Sequence, residues 1–277
     1  MKSNKQADMS FLDHLEELRW HIIRSFVAII IFAILAFLFK GFVFDVVLLG
    51  PSQPDFLTNR LFCRLAEIIA TPALCINQET LRFQNINMSG QFTMHIGISF
   101  VAGIVIAFPY IFYELWRFIK PALYENEVRH SRGAVFAAGS LFTLGILFAY
   151  YLIAPLSVYF LGGYSVSDSV ENIINFRSYV STVSSIVLAT GVMFELPILM
   201  YFLTKVGLVT TKFLRKYRRH SIVVSVTLAA IITPPDIISQ IMVAIPLIFL
   251  YEAGIIIGYR VEKKRAQFDL VNDTNNE

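Results

Sequence analysis

Apolar residues gather along this chain into long runs that charges seldom interrupt, and six runs read as membrane spans: roughly 21–44, 90–113, 133–158, 178–204, 220–234 and 237–258. The first four are long enough to cross a hydrocarbon core of ~30 Å at ~1.5 Å of rise per residue. The last two are not: Ser221 to Pro235 makes only ~22 Å of helix, and Ile237 to Tyr251 is equally short. A hairpin this short must thin the bilayer or be sheltered by neighbours. Its turn falls at Pro234, Pro235 and Asp236, because proline lacks a donor and clashes with the preceding helical turn. Pro109 lies inside the second span and predicts a kink there. Pro121 predicts the end of that helix. The expected fold is an all-α membrane protein with six transmembrane helices forming one bundle over residues 1–265. Residues 266–277 form a polar tail, expected to be disordered.

Outside the spans, Phe11, Leu15, Leu18 and Ile22 recur every three or four residues. That spacing predicts an amphipathic helix lying on the membrane surface and running into the first span. The segment from about 45 to 89 is long for a loop and holds the apolar piece RLFCRLAEIIATPALCI, which predicts a short helix capping the outer face. Cys63 and Cys75 both lie in it. A disulfide and a pair of buried thiols each fit their separation.

Charge fixes the expected orientation. With both termini in the cytoplasm, eighteen of the 23 Lys and Arg residues fall on the inner side and five on the outer side. The bias of Lys and Arg toward cytoplasmic loops selects that arrangement. Charged residues are only 16% of the chain and hydrophobic residues 56%, too few polar groups to cover a water-facing surface. Asp8, Asp13, Glu16 and Glu17 precede the first apolar run, and no small-residue cleavage site follows it, so the first span is expected to be retained.

Candidate chemistry is sparse. The chain has no HExxH, GxSxG, Walker loop or CxxC, and its five histidines show no ligand spacing, so neither an enzyme nor a metal or other cofactor is expected. Two features resist a purely structural reading. Glu195 is the one charge in GVMFELPILMYFL, residues 191–203. A mid-membrane carboxylate costs at least ~2.5–3.5 kcal/mol when charged, so it must be protonated or paired. The second feature is FPYIFYELWRFIKPALYENEVR, residues 108–129, where Trp116, Phe118 and Tyr124 make an aromatic belt and Glu125 and Glu127 sit where basic residues are expected.

The stretches HLEELR, FPYIFYELWRFIKPALYENE, FELP and TPPDIISQIMVAIPLIFLYEAG, in that order and spread from about residue 10 to 260, resemble the TatC family, the large subunit of the twin-arginine protein translocase. The family pattern departs in one place: Val128 separates LYENE from Arg129. The first outer loop is also longer than the common family form, and its cysteines inherit no role. The resemblance implies a cytoplasmic (inner) membrane protein that binds twin-arginine signal peptides and supports export of folded proteins driven by the proton gradient. Implied partners are small single-span subunits (TatA/TatB-like), further copies of the chain within a hetero-oligomer, and membrane lipid; nucleic acid is not among them. Matched residue by residue, Glu17, Arg19, Phe118 and Glu127 fall at signal-binding positions, and Glu195, Thr233 and Gln240 at positions linked to docking of the small subunits. The chemistry suits: a guanidinium fork matches a carboxylate in a bidentate way that lysine cannot. The alternatives are a proton-coupled secondary transporter using Glu195 and, more remotely, an intramembrane enzyme. The first should show two related halves, and none is visible.

Overall fold

A computed structural model describes residues 11–71, 75–77, 81–119, 131–167, 172–234 and 237–275. Along the chain the helices are α1 (Phe11–Leu38), α2 (Leu57–Ile69), α3 (Gly90–Ile119), α4 (Ser131–Phe148), α5 (Ala154–Gly163), α6 (Phe176–Met193), α7 (Leu196–Val206), α8 (Thr211–Lys216), α9 (Arg218–Ile232) and α10 (Ile237–Asn275). The protein is a helical membrane protein. By length and composition, five helical stretches among the described residues can cross a bilayer: Leu15–Leu38, Gly90–Ile119, Val135–Gly163, Phe176–Val206 and Ile237–Lys263. They coincide with five of the expected spans. The remaining one is α9, at 15 residues the short first arm expected of the final hairpin; the second arm, expected to be equally short, is instead a stretch of 27 residues long enough to cross.

The amphipathic start runs into the first span as expected, in one helix continuous from Phe11 to Leu38. Several local expectations are modified. The second span, read as ending near residue 113, belongs to a helix that runs on to Ile119 with Pro109 in its interior. The last helix continues to Asn275, over residues expected to form a disordered tail; Ala266, Gln267 and Leu270 there are good helix formers. A two-residue parallel pair, β1 (Phe83–Gln84) with β2 (Ile174–Asn175), was not foreseen. Pro121, Pro235 and Asp236 lie outside the described residues, whereas Pro234 follows Thr233, the residue that caps α9.

The chain divides into two compact units. The first comprises Met1–Phe39 and His95–Gly139. Here α1 packs on α3 at a point where a side chain has no room: a methyl group on Gly103 would sit 2.7 Å from the carbonyl oxygen of Ile29. Further along, the His95 ring stacks on Phe37 at 3.9 Å, and its Nε2 lies 3.0 Å from the Phe37 carbonyl near the end of α1. Helix ends leave such carbonyls without intrahelical donors, and histidine is a suitable partner.

The second unit comprises Lys40–Met94 and Ser140–Glu277. Its core is Ala149, Ile153, Ile186, Ala229, Val243, Ala244 and Leu247. Between α4 and α5, residues Ala149–Ile153 widen into a π-turn just before Pro155. Pro155 has no N–H for the carbonyl of Tyr151, and Thr58 of α2 donates its hydroxyl to that carbonyl instead. The capping helix is tied down by further polar contacts. The fully buried Asn59 donates to the Gln53 carbonyl at 2.7 Å, and Asn77 donates to the Pro155 carbonyl at 3.0 Å and to Asn59 Oδ1 at 3.3 Å. Cys63 and Cys75 are joined by a disulfide that fastens α2 to the strand of chain after it.

Candidate functional sites

Two groups of polar residues stand out, one in each unit. In the first unit, Glu17, His21 and Arg24 follow one another at four and three residues on α1, and such spacing aligns side chains on one helical face. On α3, Tyr110, Glu114 and Phe118 recur every four residues and make a second stripe. The stripes meet. His21 Nδ1 lies 2.5 Å from Glu114 Oε2, with His21 5% and Glu114 2% exposed. Arg24 Nη1 approaches the same carboxylate oxygen at 3.8 Å, and the Tyr110 hydroxyl hydrogen-bonds that carboxylate. The other ring nitrogen of His21 faces Glu17 Oε1 at 4.0 Å. Phe118 stands edge-on to the imidazole at 6.1 Å.

This arrangement solves an energetic problem. A buried carboxylate is costly unless it is paired and hydrogen-bonded. Glu114 receives a histidine, a tyrosine hydroxyl and a nearby guanidinium. Glu17 is 38% exposed in its side chain and stays open to a ligand.

Among the expected signal-binding residues, Glu17 and Phe118 are thus brought to the same imidazole. Arg19 is not: it is exposed and its guanidinium lies 5.9 Å over the Trp20 ring. Glu127 lies outside the described residues. Trp116, expected in an aromatic belt at the membrane edge, is 4% exposed and buried within the protein. His21 and Glu114 were not anticipated. Their only advance signal was the four-residue step from Glu17 to His21, since Glu114 comes from a helix 93 residues away.

In the second unit, Glu195 sits at a break between α6 and α7. Pro197 cannot donate to the carbonyl one turn back, which interrupts the helix there. The Glu195 carbonyl instead accepts from Ile198 and Leu199 at 3.0 and 2.9 Å. Both side-chain oxygens are shut from solvent and meet no partner at bonding geometry among the described residues; the Phe142 backbone is the polar group beside them. Thr190, one turn earlier on α6, also has a buried hydroxyl without a hydrogen-bond partner among the described residues. Close helix approach creates this pocket. A methyl on Gly145 would lie 2.8 Å from Phe194 Cβ, and one on Gly191 would lie 2.6 Å from Ile146 Cδ1. Small residues at such crossings let membrane helices touch backbone to backbone.

Thr233 and Gln240 do not join Glu195 through hydrogen bonds. The Thr233 hydroxyl donates to the Ala229 carbonyl at 2.8 Å, and the Gln240 amide faces the Val226 carbonyl at 3.5 Å. Both therefore attach to α9. Among the described residues, no group of His, Cys, Asp and Glu is placed to hold a metal.

Comparison with known proteins places this architecture. The family model described as Sec-independent protein translocase protein (TatC) matches residues 13–246. The Sec-independent protein translocase protein TatC of Blattabacterium sp. subsp. Periplaneta americana (strain BPLAN) is 40% identical over 264 residues, covering 95% of this chain and 99% of that protein. The TatC of Aquifex aeolicus (strain VF5) is 34% identical over 260 residues, covering 94% and 98% respectively. A crystal structure described as the twin arginine translocase receptor TatC in DDM aligns with a TM-score of 0.70 at 33% identity, over 88% of this chain and 99% of that one. With the fold, the order of its helices and the family model all in agreement over most of its length, the chain belongs to the TatC family of Sec-independent protein translocase proteins.

Proposed function

We infer that the protein is the signal-reading core subunit of a twin-arginine translocase in the cytoplasmic membrane. It binds twin-arginine signal peptides at the inner face and supports export of folded proteins driven by the proton gradient. The observation that carries this reading is the half-exposed Glu17 close to the His21 imidazole, against which Phe118 also stands, with the buried Glu114 bonded to the far side of that ring. A single exposed ion pair would be worth only ~0.2–1 kcal/mol. With a second carboxylate from Glu127, as the family resemblance implies, Glu17 grips a guanidinium through charge-assisted hydrogen bonds, which are stronger than neutral ones. Both termini face the cytoplasm in this reading, as the distribution of Lys and Arg requires. The similarity to a structure described as a twin arginine translocase receptor supports the assignment.

Glu195 serves a different task. A buried carboxylate with no partner of its own is ready to bond a polar group brought by another helix. Small single-span subunits docking along the fourth span would supply it, with Thr233 and Gln240 contributing at the hairpin, in a hetero-oligomer containing several copies of the chain.

The test is export of a folded cargo carrying a twin-arginine leader. Glu17→Ala combined with Glu127→Ala should abolish export while the protein still inserts. Normal export by that double variant would refute the receptor site. Glu195→Ala should spare peptide binding and weaken crosslinking to a single-span subunit; unchanged crosslinking would refute the docking role.

A further inference from the structure

We propose that α2 docks the outer segment onto the lipid leaflet: its exposed stripe of Leu57, Leu61, Leu65 and Ile68 sits among the acyl chains, and Arg60 and Arg64 beside the stripe meet the headgroup phosphates. The proposal does not depend on the receptor reading.

Three sides of α2 carry three kinds of residue. Thr58, Asn59 and Ala66 are buried against the protein. Leu57, Leu61, Leu65 and Ile68 follow at steps of four, four and three, which aligns them on one face. They are between 39% and 79% exposed. Arg60, Arg64 and Glu67 each stand one place before a stripe residue, and one residue turns a helix by roughly 100°, so they form a neighbouring side, also exposed. The depth of the helix says what covers the stripe. Thr58 donates its hydroxyl to the Tyr151 carbonyl, and Phe56, just before the helix, stacks on the Tyr151 ring at 5.4 Å. Tyr151 lies well inside Val135–Gly163, a stretch able to cross the bilayer. The first turn of α2 is thus fastened to a span. The Asn59–Asn77–Pro155 contacts and the Cys63–Cys75 bridge hold the helix as well, so it cannot roll its stripe inward.

That order of sides matches the profile of a leaflet. An interfacial helix sinks its apolar face ~5–10 Å into the boundary between headgroups and acyl chains. An arginine beside that face lays its stem along apolar surface and carries its guanidinium back toward water. There the fork meets phosphate oxygens in a bidentate way. Two arginines against the one carboxylate of Glu67 leave this side net positive, the sign that phosphates need.

The experiment reads the fluorescence of an added tryptophan in the full-length protein. The protein is held in nanodiscs of phosphatidylcholine and phosphatidylglycerol, with or without bromine on the acyl chains. Trp20 and Trp116 give a background that the wild type measures. Leu61→Trp should lose most of its added emission to the brominated lipid and keep it in aqueous iodide. Glu67→Trp, on the polar side, should do the reverse. Arg60→Gln with Arg64→Gln, added to Leu61→Trp, should weaken quenching by the lipid; unchanged quenching overturns the headgroup contact. A Leu61→Trp signal open to iodide and untouched by bromine places the stripe in water and overturns the proposal. Protection from both quenchers means that a second copy of the chain covers the stripe, and overturns it equally.

Discussion

At the scale of single residues, the protein holds two buried carboxylates and treats them in opposite ways. Glu114 is surrounded by partners, from His21, Arg24 and Tyr110. Among the described residues Glu195 has only the Phe142 backbone beside its carboxylate, and no partner at bonding geometry. Breaking a buried pair costs far more than removing a group that was never satisfied. Glu114→Ala should therefore destabilise the protein by roughly 3–5 kcal/mol, seen as a clear fall in Tm in detergent. Glu195→Leu should leave Tm unchanged or raise it, while export falls. A large drop in Tm for Glu195→Leu would mean that the carboxylate has a structural partner and is not held open for another chain. Glu195 was legible in the sequence, because one charge in an apolar run stands out. The His21–Glu114 pair was not, because each residue is unremarkable on its own helix and their meeting depends on how α1 and α3 cross.

At the scale of elements, hydrophobic runs located the spans well and their ends less well. An apolar run reports the thickness of the bilayer, whereas a helix stops only where its backbone bonds fail. That is why α3 goes on to Ile119, past the apolar run that ends near residue 113, and carries Glu114 and Phe118 into register with α1. Breaks inside spans were equally hidden. The π-turn at Ala149–Ile153 needs Pro155 and, from the distant helix α2, the Thr58 hydroxyl that satisfies the freed Tyr151 carbonyl. Thr58→Val keeps the shape and removes the donor, so it should cost roughly 1–3 kcal/mol; an unchanged Tm would show that the carbonyl finds another donor. The Gly145 crossing yields a harsher expectation. A valine there would drive into Phe194 and the backbone of Gly191. Forcing extra methyl groups into a packed contact costs typically ~1–3 kcal/mol, and Gly145→Val should also disturb the Glu195 pocket beside it. Gly133, which has open space where a side chain would go, is the control position and should accept alanine without loss.

At the scale of the whole molecule, the distribution of charge and the disulfide concern opposite sides of the membrane. With eighteen of the Lys and Arg residues placed inward, a fluorescent protein that matures only in the cytoplasm should glow when fused to either terminus. A dark C-terminal fusion on an intact chain would require an odd number of spans. The Cys63–Cys75 bridge closes a short loop in the expected outer segment. Losing it through Cys63→Ser should cost roughly 2–4 kcal/mol and loosen the cap without touching the inner site, so peptide binding should persist at lower temperature. The central claim is that this chain reads the paired arginines itself. The direct measurement is the affinity of the purified wild-type protein for a labelled twin-arginine signal peptide beside its twin-lysine counterpart. Tighter binding of the arginine peptide, lost in Glu17→Gln, is the predicted result. Equal affinity for the two peptides in a folded protein would contradict it.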